Sequence, residues 1–99
     1  MKIAFVVHNE HYASRVMQLL SDADIDYYTL WEQVKGKGPG TDPHLGSGGF
    51  AALNSVLMIA FRDESPLARL IDAIDAFNAG IKRADDKVRL FQIPLERMV

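Results

Sequence analysis

Apolar positions along the chain recur with two periods, every second residue or every third to fourth, and the changes between them delimit the elements. From Lys2 to His8, Ile3, Phe5 and Val7 share one face and Ala4, Val6 and His8 the other. Both faces are largely apolar, which predicts a central strand buried on both sides. Asn9 is placed to cap the next element. From His11 onward, Ala13, Val16, Met17, Leu20 and Ala23 make a helical stripe that ends within Ser21 to Asp24, where short polar side chains compete for backbone hydrogen bonds. Ile25 to Val34, rich in aromatic and β-branched residues, predicts a second strand. Its Tyr28, Leu30 and Val34 are expected towards the helices, and Tyr27, Thr29, Trp31 and Gln33 away from them. Ala52 to Arg62 predicts a third strand, with Leu53, Leu57, Ile59 and Phe61 opposite Val56, Met58 and Ala60.

Ser65 as N-cap and Pro66 at the first helical position predict a second helix. Its buried stripe is Leu67, Leu70, Ile71, Ile74 and Phe77, and Gly80 stops it. A polar connection, Ile81 to Lys87, leads to a last strand over Val88 to Leu95. Pro94 has no N–H for a ladder, so that strand is expected to lie at an edge or to end there. The order β-α-β-β-α-β is that of an α+β ferredoxin-like sandwich. Right-handed crossovers put both helices on one face of a four-stranded antiparallel sheet. Trp31, Tyr27 and one parity of the first and third strands are then left uncovered. A patch of that size implies an interface, hence a homo-oligomer whose sheets pack together.

Composition narrows the function. The 99 residues suit a single domain, 48% of them apolar and 24% charged. A net charge of −2 leaves no electrostatic footprint for nucleic acid or an anionic membrane. With no cysteine there are no disulfides and no thiolate metal sites. The N-terminal apolar run is too short for a signal peptide and no segment could span a bilayer, so the expected location is the cytoplasm. No catalytic constellation stands out, and an enzyme is not expected. Ser47 and Ser65 have no evident base, Asp85-Asp86 reads as a solvated turn, and Arg15 lies too far along its helix to cradle a phosphate.

The stretch Val34 to Phe50 carries the candidate chemistry. Gly36, Gly38, Gly40, Gly46, Gly48 and Gly49 are six of the seven glycines, and Pro39 and Pro43 two of the four prolines. A shaped functional loop fits this mixture, since glycine admits positive φ and proline fixes φ near −65°. Backbone N–H groups there could hold an anion, with Lys35, Lys37 and Arg89 supplying charge. His44 and Asp42 are apt ligands for a divalent transition metal, though two ligands make an incomplete site. His8 and His11, three apart, need not converge, since one ends a strand and the other begins a helix.

Glu32-Gln33-Val34-Lys35-Gly36-Lys37-Gly38 resembles the Glu-Val-Lys-Gly-x-Gly segment of the P-II-like (nitrogen regulatory protein P-II) signal transduction proteins. Leu90-Phe91-Gln92-Ile93-Pro94-Leu95-Glu96 is similar to that family's last core strand, and Asn9-Glu10-His11-Tyr12 fits its first strand-to-helix turn. The resemblance implies a homotrimer with sheets facing inward and ligand clefts between subunits. It also implies a loop, here 35–50, that regulates a partner, either a membrane transporter or an enzyme. Carried over, Lys35, Gly36, Lys37, Gly38 and Arg89 would bind an adenine nucleotide (ATP or ADP). Pro39, Gly40, Thr41, Pro43, Leu45 and Gly46 would meet the partner. The family's Gly-Asp-Gly-Lys is replaced by Asp86-Lys87-Val88-Arg89, in which Arg89 can stand in for the lysine while a side chain at Val88 is expected to obstruct phosphate. The alternative implied reading is a divalent-metal-binding member linked to heavy-metal efflux or tolerance, using His44 and Asp42.

Overall fold

The computed structural model describes residues 1–38 and 53–99. Four strands, β1 (Lys2–Asn9), β2 (Thr29–Val34), β3 (Asn54–Phe61) and β4 (Arg89–Pro94), form an antiparallel sheet in the order β2-β3-β1-β4. Helix α1 (Ala13–Asp22) follows β1 through a 3₁₀ turn at Glu10–Tyr12, and α2 (Glu64–Ala79) follows β3. This is the ferredoxin-like arrangement, with β1 central and β4 at an edge.

Alternation decides which face is covered. Ala4, Val6 and His8 of β1 and Ser55, Leu57, Ile59 and Phe61 of β3 are buried. They join Val16 and Leu20 of α1 and Leu67, Leu70 and Ile74 of α2, the stripes that the helical spacing predicts, in one core. Among the described residues, no helix covers the opposite parity. There Ile3 pairs with Ala60 and Ile93, Phe5 with Met58 and Phe91, and Val7 with Val56 and Arg89. Trp31 joins them opposite Val56. Trp31 is 46% exposed, Ile93 51% and Phe91 57%.

The second strand departs from its expected form at both ends. Ile25 is not in a strand. Asp24 turns the chain at φ 60°, and the Ile25 N–H donates back to the Leu20 carbonyl (2.9 Å), so Ile25 plugs the core below α1. Tyr27, expected away from the helices, meets the buried Phe61 edge-on with ring centroids 6.0 Å apart. At the other end a bulge intervenes: Trp31 pairs with Val56 but Val34 with Asn54, one residue more on β2 than on β3. Gln33, at φ 59°, lies in it. The bulge reverses the parity, so Val34 stands on the open face beside Asn54 rather than towards the helices.

The N-cap of α2 lies two residues before the expected one. Asp63 is the N-cap, its carboxylate accepting from the Ser65 N–H at 3.1 Å, and Pro66 lies within the first turn, where an N–H has no intrahelical partner. Asn9 caps the 3₁₀ turn as expected, accepting from the His11 N–H at 2.9 Å. Arg69 of α2 reaches the Ala23 carbonyl at the end of α1 through Nε (3.4 Å) and Nη2 (3.2 Å). Among the described residues no helix is long and apolar enough to cross a membrane.

Asn78 fixes where β4 starts. Its Nδ2 donates to the Val88 carbonyl and its Oδ1 accepts from the Val88 N–H, both at 2.8 Å. Removing both partners strands two backbone groups of a residue that is 1% exposed. Asn78→Ala should therefore lower unfolding free energy by roughly 2–4 kcal/mol. For a domain of this size that is a fall in Tm of about 10 °C or more. Thermal and urea melts of the variant check this; a change within 2 °C (roughly the shift of a neutral surface substitution) would remove Asn78 as the anchor of β4.

Candidate functional site

In an antiparallel sheet the C-terminal ends of β1 and β2 and the N-terminal starts of β3 and β4 lie at the same end. Here they frame a cleft of about 270 Å³. One wall is Gly36, Lys37 and Gly38, just beyond β2. The floor is Val7, His8 and Asn9 of β1 with Asn54 of β3, and the other wall is Ala84, Asp85, Lys87, Arg89 and Phe91. Among the described residues, Lys37, Lys87 and Arg89 bring three cations to the cleft and Asp85 is the one carboxylate in its lining. Arg83 grips that carboxylate with a fork, Nε to Oδ1 at 3.2 Å and Nη2 to Oδ2 at 2.9 Å, and so offsets its charge.

The glycine at position 36 has a steric reason. A Cβ there would lie 2.9 Å from Asn54 Nδ2, so the side chain of Asn54 packs directly on the bare backbone of this wall. On the facing wall, Val88 does not obstruct the cleft as expected. Its side chain is in the core and its N–H and carbonyl are both taken by Asn78. The strand alternation then sets Lys87 and Arg89 into the cleft on either side of it. Any anion here would be met by side-chain cations on this wall, since the backbone at Val88 is occupied.

His8 lies in the floor, 3% exposed, and its Nδ1–H donates to the Asn9 carbonyl at 2.9 Å. Burial pushes the imidazole below its ordinary value of 6.5, against smaller upward effects of the Asn9 hydrogen bond and the Glu10 charge. The ring is thus held neutral, with Nε2 the unprotonated nitrogen. His11 is exposed on the 3₁₀ turn.

Of the residues singled out in the sequence, Gly36, Lys37, Gly38 and Arg89 line this one cleft, while Lys35 is exposed and not in its lining. The metal candidates His44 and Asp42, and the partner-loop residues Pro39, Gly40, Thr41, Pro43, Leu45 and Gly46, lie outside the described residues. Among the described residues no group of three or more His, Asp or Glu side chains could hold a metal ion. Asn54, Lys87 and Asp85 were missed as cleft residues. The segment Asp86-Lys87-Val88-Arg89 did contain the signal, since alternation alone puts Lys87 and Arg89 on the side opposite Val88. Nothing in the sequence marks Asn54.

No family model and no curated protein matches the chain. Solved structures do. CPII, a nitrogen regulatory PII-like protein from Thiomonas intermedia K12 bound to ADP, AMP and bicarbonate, superposes with a TM-score of 0.69 at 17% identity, covering 97% of this chain and 88% of that one. A second structure of CPII with the same ligands gives 0.67 at 16% identity, covering 93% and 90%. CPII bound to ADP and bicarbonate gives 0.64 at 19% identity, covering 97% and 88%. The chain thus shares the fold of these PII-like structures.

The buried neutral His8 makes stability depend on pH with a definite sign. Its folded pKa is lowered, so above pH 6.5 both states are neutral and the group has no effect. As pH falls below 6.5 the unfolded chain takes up the proton and the folded one resists, so stability declines until the folded imidazole also titrates. The Tm of the wild type should therefore fall more steeply from pH 7 to pH 5 than that of His8→Gln (a window of about two units that brackets the ordinary histidine value). Parallel slopes would show that His8 is not the group responsible.

Proposed function

We propose that the chain is a PII-like regulatory protein, not an enzyme, that senses an adenine nucleotide in the cleft at the strand ends. Its occupancy would be passed to a partner protein, a transporter or an enzyme, through the segment that follows β2. The observation that carries this reading is the convergence of Gly36, Lys37 and Gly38 with Lys87 and Arg89 across one cleft. Bare backbone on one side admits a flat ring close to the chain, and cations on the other meet a phosphate group. CPII, bound to ADP, AMP and bicarbonate in its structures, supports the ligand class. Regulation would work by population shift: the nucleotide favours one arrangement of the wall at Gly36–Gly38, and the partner recognises that arrangement.

The uncovered sheet face fits the homotrimer of this reading. Phe5, Met58, Phe91, Ile93 and Trp31 present a continuous apolar surface, and burying it against a second and third copy is favourable at about 25 cal/mol per Å². Light scattering on the eluted protein should give three chain masses, and Ile93→Lys should shift it towards one. A wild-type mass of a single chain would overturn the trimer.

Calorimetric titration with ADP, AMP and ATP, with and without bicarbonate, tests the ligand. ADP should bind, and Arg89→Ala should raise its Kd about tenfold or more, which corresponds to a lost charge-assisted contact of about 1.4 kcal/mol. Affinity should weaken with added salt, since Lys37 and Arg89 are exposed. Absence of binding by every nucleotide, in either buffer, would falsify the reading.

A further inference from the structure

Glu10 lies outside the cleft, in the 3₁₀ turn after β1, yet it holds both strand ends that flank residues 39–52. Its Oε1 accepts from the Gln33 N–H at 2.6 Å, and its own N–H donates to the Leu53 carbonyl at 3.0 Å. Gln33 is the bulge residue of β2, at φ 59°. A residue with a side chain is disfavoured in that region of φ, and its N–H has left the regular ladder. The Glu10 carboxylate supplies that N–H with a short charge-assisted acceptor, so the bulge is held by a residue 23 positions away in sequence.

The bulge decides what comes after it. Because β2 has one residue more than β3 between Trp31 and Val34, the following residues emerge shifted by one position, with Val34 opposite Asn54. Two residues on, Gly36 rests against the Asn54 side chain and opens the Gly36–Gly38 wall. Without the bulge the same residues would present the opposite parity. Glu10 also follows His8 and Asn9, two residues of the cleft floor, so floor and wall are joined through its backbone and side chain.

We propose that Glu10 is a positioning residue that fixes the bulge at Gln33, and with it the Gly36–Gly38 wall of the cleft. Cleft occupancy and the spacing of the two strand ends are then one linked equilibrium: a ligand seated against the wall tightens the Glu10–Gln33 contact, and loss of that contact weakens the ligand. The ligand half of this inference rests on the nucleotide reading above; the bulge half does not.

The test compares wild type, Glu10→Ala, Glu10→Gln and Arg69→Ala by ADP calorimetry and by amide hydrogen exchange at Gln33. Glutamine keeps an oxygen that accepts from Gln33. Arg69→Ala lowers stability at the far end of α1, away from the cleft. Glu10→Ala should raise the Kd for ADP about tenfold, while Glu10→Gln and Arg69→Ala stay within about threefold of wild type. Exchange at Gln33 should speed up in Glu10→Ala and slow when ADP binds the wild type. An unchanged Kd in Glu10→Ala, or an equal loss in Arg69→Ala, overturns the positioning role in binding. Unchanged Gln33 exchange in Glu10→Ala overturns the bulge role itself. If no nucleotide binds the wild type while Gln33 exchange still rises in Glu10→Ala, the proposed function and the ligand coupling fall and the bulge role stands.

Discussion

Pairing of β1 on both sides is the constraint on which the rest depends. Lys2 to Asn9 is matched residue for residue with β3, and Lys2 to Val7 with β4. A one-residue slip of β1 against its two neighbours would turn Ala4 and Val6, both fully buried, onto the open face and bring Phe5 and Val7 against the helices. The register is therefore held by the core, and the core holds the cleft. Val7, His8 and Asn9 are the last residues of that strand, and the starts of β3 and β4 lie beside them because their registers allow no other placement. Asn54, Lys87 and Arg89 come to one end of the sheet by topology rather than by any affinity for one another.

Much of this was legible in the sequence. Alternation in β1 and β3 gave both strands and both faces, and the stripes of α1 and α2 gave the helix surfaces. The misreadings share one cause. Ile25 to Tyr28 has the composition of a strand, but composition of that kind reports burial and shape, not pairing. Ile25 is buried as a plug after the Asp24 turn, with its N–H returned to Leu20. Tyr27 packs on Phe61 before the ladder begins. The bulge at Gln33 was invisible because its stabilising partner, Glu10, is distant in sequence, and a positive φ at glutamine leaves no local mark.

The cleft follows the same division. Gly36, Lys37 and Gly38 are contiguous and were readable as a backbone wall; Arg89 was readable from the last strand. The error at Val88 shows what a linear reading lacks. A valine in place of glycine obstructs phosphate if its side chain and N–H face the ligand. Here Asn78, ten positions earlier, takes both backbone groups and the side chain fills the core. The substitution does not block the cleft; it changes which groups can face it.

That change bears on how an anion could be held. A glycine cradle offers backbone N–H dipoles at fixed positions and needs no net charge. This wall offers Lys87 and Arg89 on a backbone that is already committed, so the field comes from side chains. The overall charge of −2 is no obstacle, because a cleft responds to the groups that line it and to screening over about 8–10 Å, not to the sum over the molecule. Among the described residues that line the cleft, Asp85 is the one opposing charge, and the Arg83 fork offsets it. His8, kept neutral by burial, adds no cation to the floor. Selectivity among anions would then be set by the spacing between the Gly36–Gly38 backbone and the two cations opposite. That spacing is governed by β1, on which both walls depend.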